Sequence, residues 1–280
     1  MVSWRRFRGL LWTGCFIVAL SGVVWAQAAP AAQEGFQPQV GQAGKDVVWV
    51  PTPYVLVEKM LDMAKVGPQD VVMDLGSGDG RNIIAAAKRG ARAIGVEYNP
   101  NMVELSRKTA AKEGVSDKAT FIEGDMFEAD ISKATVLALF LLPDNLRRLT
   151  PKFLDLKPGT RIVGNTFGIE GWAPDESDTS GGDCGSWCQS LLWIVPAKVA
   201  GVWRLPKGEL ALSQSFQVIA GTLTVGGTST PIVNGKLRGE QISFSAGGNE
   251  YSGRVNGDSI SGAVKSASGN SDWTATRVSK

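Results

Sequence analysis

The chain has 280 residues, with 29 basic against 27 acidic side chains, three cysteines and no histidine. Without histidine it lacks the commonest metal ligand and the commonest general base, and the few thiolates cannot hold a metal by themselves, so no metal is expected. The balanced charge argues against the basic footprint of a nucleic-acid binder.

The first residues read as an address, not as fold. Arg5, Arg6 and Arg8 precede an apolar run over residues 10–25, and Ala26-Gln27-Ala28 is a small-x-small cleavage site, so residues 1–28 are expected to be a secretory signal peptide. The apolar run is near the lower limit for spanning a bilayer, which leaves an uncleaved anchor as the alternative. Cleavage would leave no stable membrane span, 26 basic residues against 27 acidic ones, and a protein exported to the periplasm or cell envelope. Residues 29–46, rich in Ala, Gln, Pro and Gly, read as a flexible linker.

Order is expected from Val47. After Pro51-Thr52-Pro53-Tyr54, the residues Val57, Met60, Leu61 and Ala64 recur at helical spacing and form an apolar face. Pro-Thr-Pro is either a helix start with proline in the first turn or a rigid lid over a ligand. From Val71 the pattern alternates: strand 71–75, helix 80–89, strand 92–97, helix 100–113 and strand 119–123. Such alternation predicts a parallel α/β sheet with right-handed crossovers, whose ligands sit at the carboxyl ends of the strands. An apolar fourth strand over 134–142, a helix carrying Leu146, Leu149 and Phe153, and a fifth strand over 161–165 continue it.

The chemistry concentrates in Asp74-Leu75-Gly76-Ser77-Gly78-Asp79-Gly80-Arg81, between the first strand and its helix. Glycines let backbone N–H groups approach a ligand, and the helix start adds partial positive charge. A dinucleotide fingerprint would need glycine where Arg81 stands, and a phosphate loop would need a Gly-Lys-Ser/Thr ending. Asp74 suits a cationic amine better than a pyrophosphate. Glu97, ending the second strand, is placed to take both hydroxyls of a ribose. Asp125 follows the third strand, where it can cap an adenine edge beside Met126. Amine, ribose and adenine contacts in that order point to S-adenosylmethionine.

Pro-Thr-Pro, DLGSGDGR, GVEYNP, Gly124-Asp125, Leu141-Leu142-Pro143 and Lys157-Pro158-Gly159-Thr160-Arg161 together resemble the seven-β-strand methyltransferases of the adenine nucleotide translocase lysine methyltransferase type and their bacterial relatives. The resemblance implies a Rossmann-like seven-stranded sheet with helices on both faces, S-adenosylmethionine as donor and lysine as acceptor. It implies that Asp74, Gly76 and Gly78, with Ser77 and Gly80 in the same turn, hold the methionine end, Glu97 the ribose, and Asp125 with Met126 the adenine. Thr52 and Pro53 would line the entry. The Asn/Asp-Pro-Pro-Tyr motif that grips planar nitrogens is absent, and Leu141-Leu142-Pro143-Asp144 stands there instead. A non-planar amine, on a protein or a small molecule, is therefore the expected substrate, and no catalytic residue is assigned. The alternative is a non-catalytic envelope binding protein built on such a domain.

Beyond Trp172 the character changes. Cys184 and Cys188 are the only cysteines after the signal segment, and in an oxidising compartment they read as a disulfide, with a redox pair or free thiols as the alternatives. Trp187, Trp193 and Trp203 crowd this region. The methyltransferase domain is expected over 47–204 and a Gly-rich antiparallel β domain over 205–280. In the latter, residues 236–244 and 254–262 repeat a unit of strand, Gly-acid turn and strand. That domain is either a stabilising appendage or an envelope- or substrate-binding module.

Overall fold

The first β-α-β unit sets the frame. In the computed structural model, which describes residues 36–179, 184 and 187–279, strand β1 (Val71–Leu75) leads through the glycine turn into helix α2 (Arg81–Lys88), and α1 (Tyr54–Met63) precedes it. The chain continues through β2 (Arg92–Glu97), α3 (Pro100–Lys112), β3 (Ala119–Glu123), β4 (Val136–Leu139), α4 (Pro143–Leu154) and β5 (Arg161–Asn165). It ends the sheet with β6 (Glu176–Asp178) and β7 (Ser190–Ile194). The expected signal peptide lies outside the described residues.

These seven strands form one sheet in the order β3-β2-β1-β4-β5-β7-β6. The first five run parallel, and β7 pairs antiparallel with both β5 and β6. This is the Rossmann-like methyltransferase sheet that the resemblance implied. Strand order reverses between β1 and β4, which opens the crevice where ligands of such sheets bind.

The burial pattern follows from the sequence periods. On one face α1, α2 and α3 bury Leu56, Met60, Ile83, Ala86 and Val103 against the sheet. On the other, α4 buries Leu146, Leu149 and Phe153 with Ile131, Trp172 and Trp193. Fully burying a Leu or Phe side chain contributes roughly 1.5–3 kcal/mol, so both layers are held by apolar burial. Pro100 and Pro143 occupy first-turn positions of α3 and α4, where the missing N–H costs nothing, and the Asn99 side chain caps α3 by accepting from the Asn101 N–H.

Strands β8 (Gly201–Leu205) to β16 (Gly269–Ser279) form a second, antiparallel sheet of nine strands, and β9 (Gly208–Ser215) also pairs with β10 (Val218–Val225), closing it into a barrel. This sheet starts at Gly201 and so draws in Trp203, which fills the barrel interior with Leu210, Leu237, Phe244, Ile260 and Trp273. The internal repeat is two successive hairpins, β12–β13 (Val233–Arg238, Gln241–Ala246) and β14–β15 (Asn249–Asn256, Ser259–Ser266). Both turns place a glycine at positive φ, 60° at Gly239 and 57° at Gly257, followed by an acid, as a two-residue hairpin of that hand requires. Barrel and sheet meet where Phe216 stacks on Trp172 at 5.4 Å and Gln217 donates to the Ala173 carbonyl.

Candidate active site

A cavity of about 340 Å³ opens at the carboxyl ends of β1, β2, β3 and β4, within the range of small-molecule sites. Gly76 closes β1 into it, Glu97 ends β2, Asp125 and Met126 follow β3, and Phe140, Leu141 and Leu142 follow β4. Of the residues expected to hold a cofactor, the fold thus brings Gly76, Glu97, Asp125 and Met126 to one wall.

The others stand behind that wall and shape it. Asp74 is 3 % exposed, and its Oδ2 accepts a hydrogen bond from Asn82 Nδ2 at 3.0 Å, tying strand end to helix start. Burial pushes its carboxyl well above the ordinary carboxylate range, against the lowering effect of Asn82. Ser77 is buried with no hydrogen-bond partner for its hydroxyl. Gly78 donates its N–H to Glu97 Oε2 at 2.9 Å, while the Asn99 N–H donates to Oε1 at 2.9 Å. Both carboxylate oxygens are thereby oriented, and each keeps a lone pair for a ligand hydroxyl. Gly80, at φ 80°, caps α2. Thr52 and Pro53 do not line the cavity: the Thr52 carbonyl accepts from Arg81 Nη1 at 2.6 Å, and Pro53 caps α1. The Pro-Thr-Pro segment is therefore a helix start pinned to the glycine turn by Arg81.

Gly78 suits this turn better than any residue with a side chain. Its φ is +55°, and a Cβ there would lie 2.6 Å from Nε1 of Trp49, whose ring packs on the turn. Trp49 belongs to a strap that crosses the cavity, pinned by backbone bonds between Trp49 and both Gly41 and Gln42. Lys45 on this strap pairs with Asp125 and lies 4.9 Å from the centre of the Tyr98 ring. The hydrogen bond from Lys45, followed by one from the Phe127 N–H, holds the Asp125 carboxyl below its ordinary range. Residues 42–46, the end of the stretch 29–46 read from composition as a linker, thus line the cavity through contacts that composition does not encode.

Sequence reasoning missed Lys45, Trp49, Tyr98, Met102 and the aromatic residues Phe140 and Phe167. In the sequence Trp187 stands out only as part of a tryptophan-rich stretch. Cys184 and Cys188 are joined by a disulfide with Cα atoms 5.4 Å apart. Among the described residues no group of acids or cysteines could hold a metal ion, and no helix is long and apolar enough to cross a membrane.

The donor set fits an adenosyl ligand. Two carboxylates stand at neighbouring strand ends, a glycine turn lies beside them, and Val96, Met102, Met126 and Leu141 supply apolar surface between. Comparison with known proteins agrees. Residues 74–176 match the ANTKMT methyltransferase domain. A protein-lysine N-methyltransferase of Saccharolobus islandicus is 47 % identical over 46 % of this chain and 83 % of its own length. The chain belongs to the ANTKMT methyltransferase family. A lysine N-methyltransferase of Xenopus laevis, named for a component of the ATP synthase, is 33 % identical over 60 % of this chain and 71 % of its own. A solved structure described as an RNA methyltransferase from Salinibacter ruber, in complex with S-adenosyl-L-homocysteine, is 43 % identical, with a TM-score of 0.50, over 54 % of this chain and 96 % of that one. This member of the ANTKMT family is an S-adenosylmethionine-dependent methyltransferase. The family match ends at residue 176, before the barrel begins at Gly201.

Proposed function

We propose that the protein is an exported methyltransferase that methylates a nitrogen nucleophile, the side-chain amine of protein lysine. The observation that carries this reading is the composition of the cavity beyond β4: Phe140, Leu141, Leu142, Phe167 and Trp187 carry no ionisable group, and the charged lining residues are Lys45, Asp46, Glu97 and Asp125. S-adenosylmethionine supplies, when bound, a methyl group on a sulfonium, an electrophile that a neutral amine can displace. Glu97 would hold the ribose hydroxyls, Asp125 the adenine edge and the turn at Gly76 the methionine end.

An entering lysine must lose its proton without histidine to take it. Apolar walls remove water from the ammonium and lower its pKa, so the neutral amine forms without a dedicated base. Holding that amine near attack distance then contributes most of the acceleration. An RNA acceptor, suggested by the name of the Salinibacter protein, would call for a cationic track along a phosphate backbone. Here Lys45 is already neutralised by Asp125, and the chain after the expected signal segment carries 26 basic against 27 acidic residues. The lysine activity of the Saccharolobus and Xenopus relatives supports the same side. Export rests on the basic, apolar and small-residue pattern of residues 1–28. The test is proteomic: envelope proteins from cells with and without the gene are compared by mass spectrometry. Lysine methylation that disappears with the gene is expected, and an unchanged methylation pattern would refute the assignment.

A further inference from the structure

The three aromatic residues at the cavity mouth come from three separate segments: Phe140 after β4, Phe167 after β5, and Trp187 from the stretch before β7. Their ring centroids are mutually close: 6.0 Å between Phe140 and Phe167, 5.9 Å between Phe140 and Trp187, and 5.4 Å between Phe167 and Trp187. Trp187 is tilted by 53–60° from both phenylalanines. Phe140 and Phe167 are half-buried, and Trp187 is 36 % exposed.

We propose that Phe140, Phe167 and Trp187 form the acceptor subsite, an aromatic wall that receives the ammonium or methylammonium end of a lysine side chain, with the Cys184–Cys188 crosslink positioning its third ring. The inference rests on the amine reading above and adds to it which residues recognise the amine. Aromatic faces attract cations through their quadrupole, most strongly those of tryptophan and most effectively where water is excluded. A carboxylate in their place would raise the lysine pKa and hold the amine protonated and inert. Aromatic faces bind the cation more weakly and leave the neutral amine accessible. A methylated ammonium is larger and less hydrated than the parent, so it loses less on leaving water for the rings. The wall therefore suits an acceptor through successive methylations.

The crosslink has a position that fits this role. Trp187 directly precedes Cys188, and Cys184 is 8 % exposed, so the bond ties the tryptophan to an anchored residue. Reducing it would free the indole from that tether while leaving Phe140 and Phe167 on the strand ends.

The test compares two small ligands in titrations of the full-length mature protein: acetylated Nε-trimethyl-lysine amide and its uncharged tert-butyl isostere, equal in shape and different only in charge. The expected result is tighter binding of the cation, by about fivefold to thirtyfold, the range that aromatic–cation contacts of intermediate exposure support. Trp187→Ala should lose most of that preference and Trp187→Phe should keep part of it. The reduced protein and Cys188→Ser should resemble Trp187→Ala. Equal affinity of the two ligands for the unmodified protein, or a full preference in Trp187→Ala, overturns the aromatic site. An unchanged preference on reduction overturns the role of the crosslink. None of these readouts needs methyl transfer, so a failure of the lysine assignment in the proteomic comparison is distinguishable from a failure here.

Discussion

Replacing Glu97 by alanine probes the ribose contact and the glycine turn together. Its two oxygens accept the backbone N–H groups of Gly78 and Asn99, each at 2.9 Å. Hydrogen bonds to a charged acceptor are worth about 1.5–3 kcal/mol each. Both groups are only partly buried, so water takes up some of the loss, and a fall in folding stability of about 2–3 kcal/mol is expected. Cofactor binding loses more. Two ligand hydroxyls forfeit their acceptor at about the same value each, and the turn that Glu97 holds is released, so affinity for S-adenosylhomocysteine should drop at least about a hundredfold. Adenosine affinity should drop with it, because the lost contact is to the ribose. Asp74→Ala offers the contrast: Asp74 holds Asn82 at the methionine side, so S-adenosylhomocysteine should weaken while adenosine changes much less. Calorimetric titration of both ligands into both variants, beside urea unfolding, measures all of this. Unaltered affinities in Glu97→Ala would falsify the ribose assignment and the reasoning built on it.

Asp74 also carries a pH dependence. Because burial raises its folded-state pKa, the native state holds the proton more tightly than the unfolded chain, so stability falls as pH rises from the ordinary carboxylate range through the raised folded value. Asp74→Asn should therefore stabilise the ligand-free protein more at pH 8 than at pH 4, by urea unfolding at the two values; an equal effect would mean that the carboxyl is not destabilised by burial. The strap titrates in the opposite sense. Asp125 has a depressed folded pKa, so its pairing with Lys45 is present above the ordinary carboxylate range and is lost as pH falls through the folded value; protease cleavage within residues 36–46 should accelerate at acid pH and, in Lys45→Met, should be fast already at neutral pH. Mass spectrometry of protein recovered from the envelope should show an N-terminus near Gln27 or Ala29; an intact Met1 there would favour an anchor.

The sheet was legible because its signals are local. Val71 to Leu75, the glycine turn and Ile83 to Ala87 announce a strand, a turn and a helix within twenty residues, and the structure sets β1 and α2 there. The cavity was half legible. Glu97 and Asp125 could be placed because strand ends converge in a parallel sheet. Lys45 could not, since its partner Asp125 lies 80 residues away and Gly-rich sequence carries no period. Strand β6 is three polar residues and has no signal of its own; it exists by pairing with β7. The repeat revealed two hairpins of the second sheet, and β9–β10 is a third local hairpin, while the closure of the barrel depends on β8 meeting β16, far apart in the chain, which no short window contains. The aromatic wall was hidden for the same reason: Phe140, Phe167 and Trp187 are adjacent only after β4, β5 and β7 are side by side.

The most direct test of the central claim is transfer of a labelled methyl group. The protein is incubated with methyl-labelled S-adenosylmethionine and an envelope extract, and the product is divided between protease and ribonuclease treatment before acid hydrolysis. Label that is released by protease, survives ribonuclease and comigrates with Nε-methylated lysine is the expected result, reduced at least about a hundredfold in Glu97→Ala at limiting cofactor. Label released by ribonuclease, or no label incorporated at all, would contradict an amine acceptor at the ends of β1 to β4.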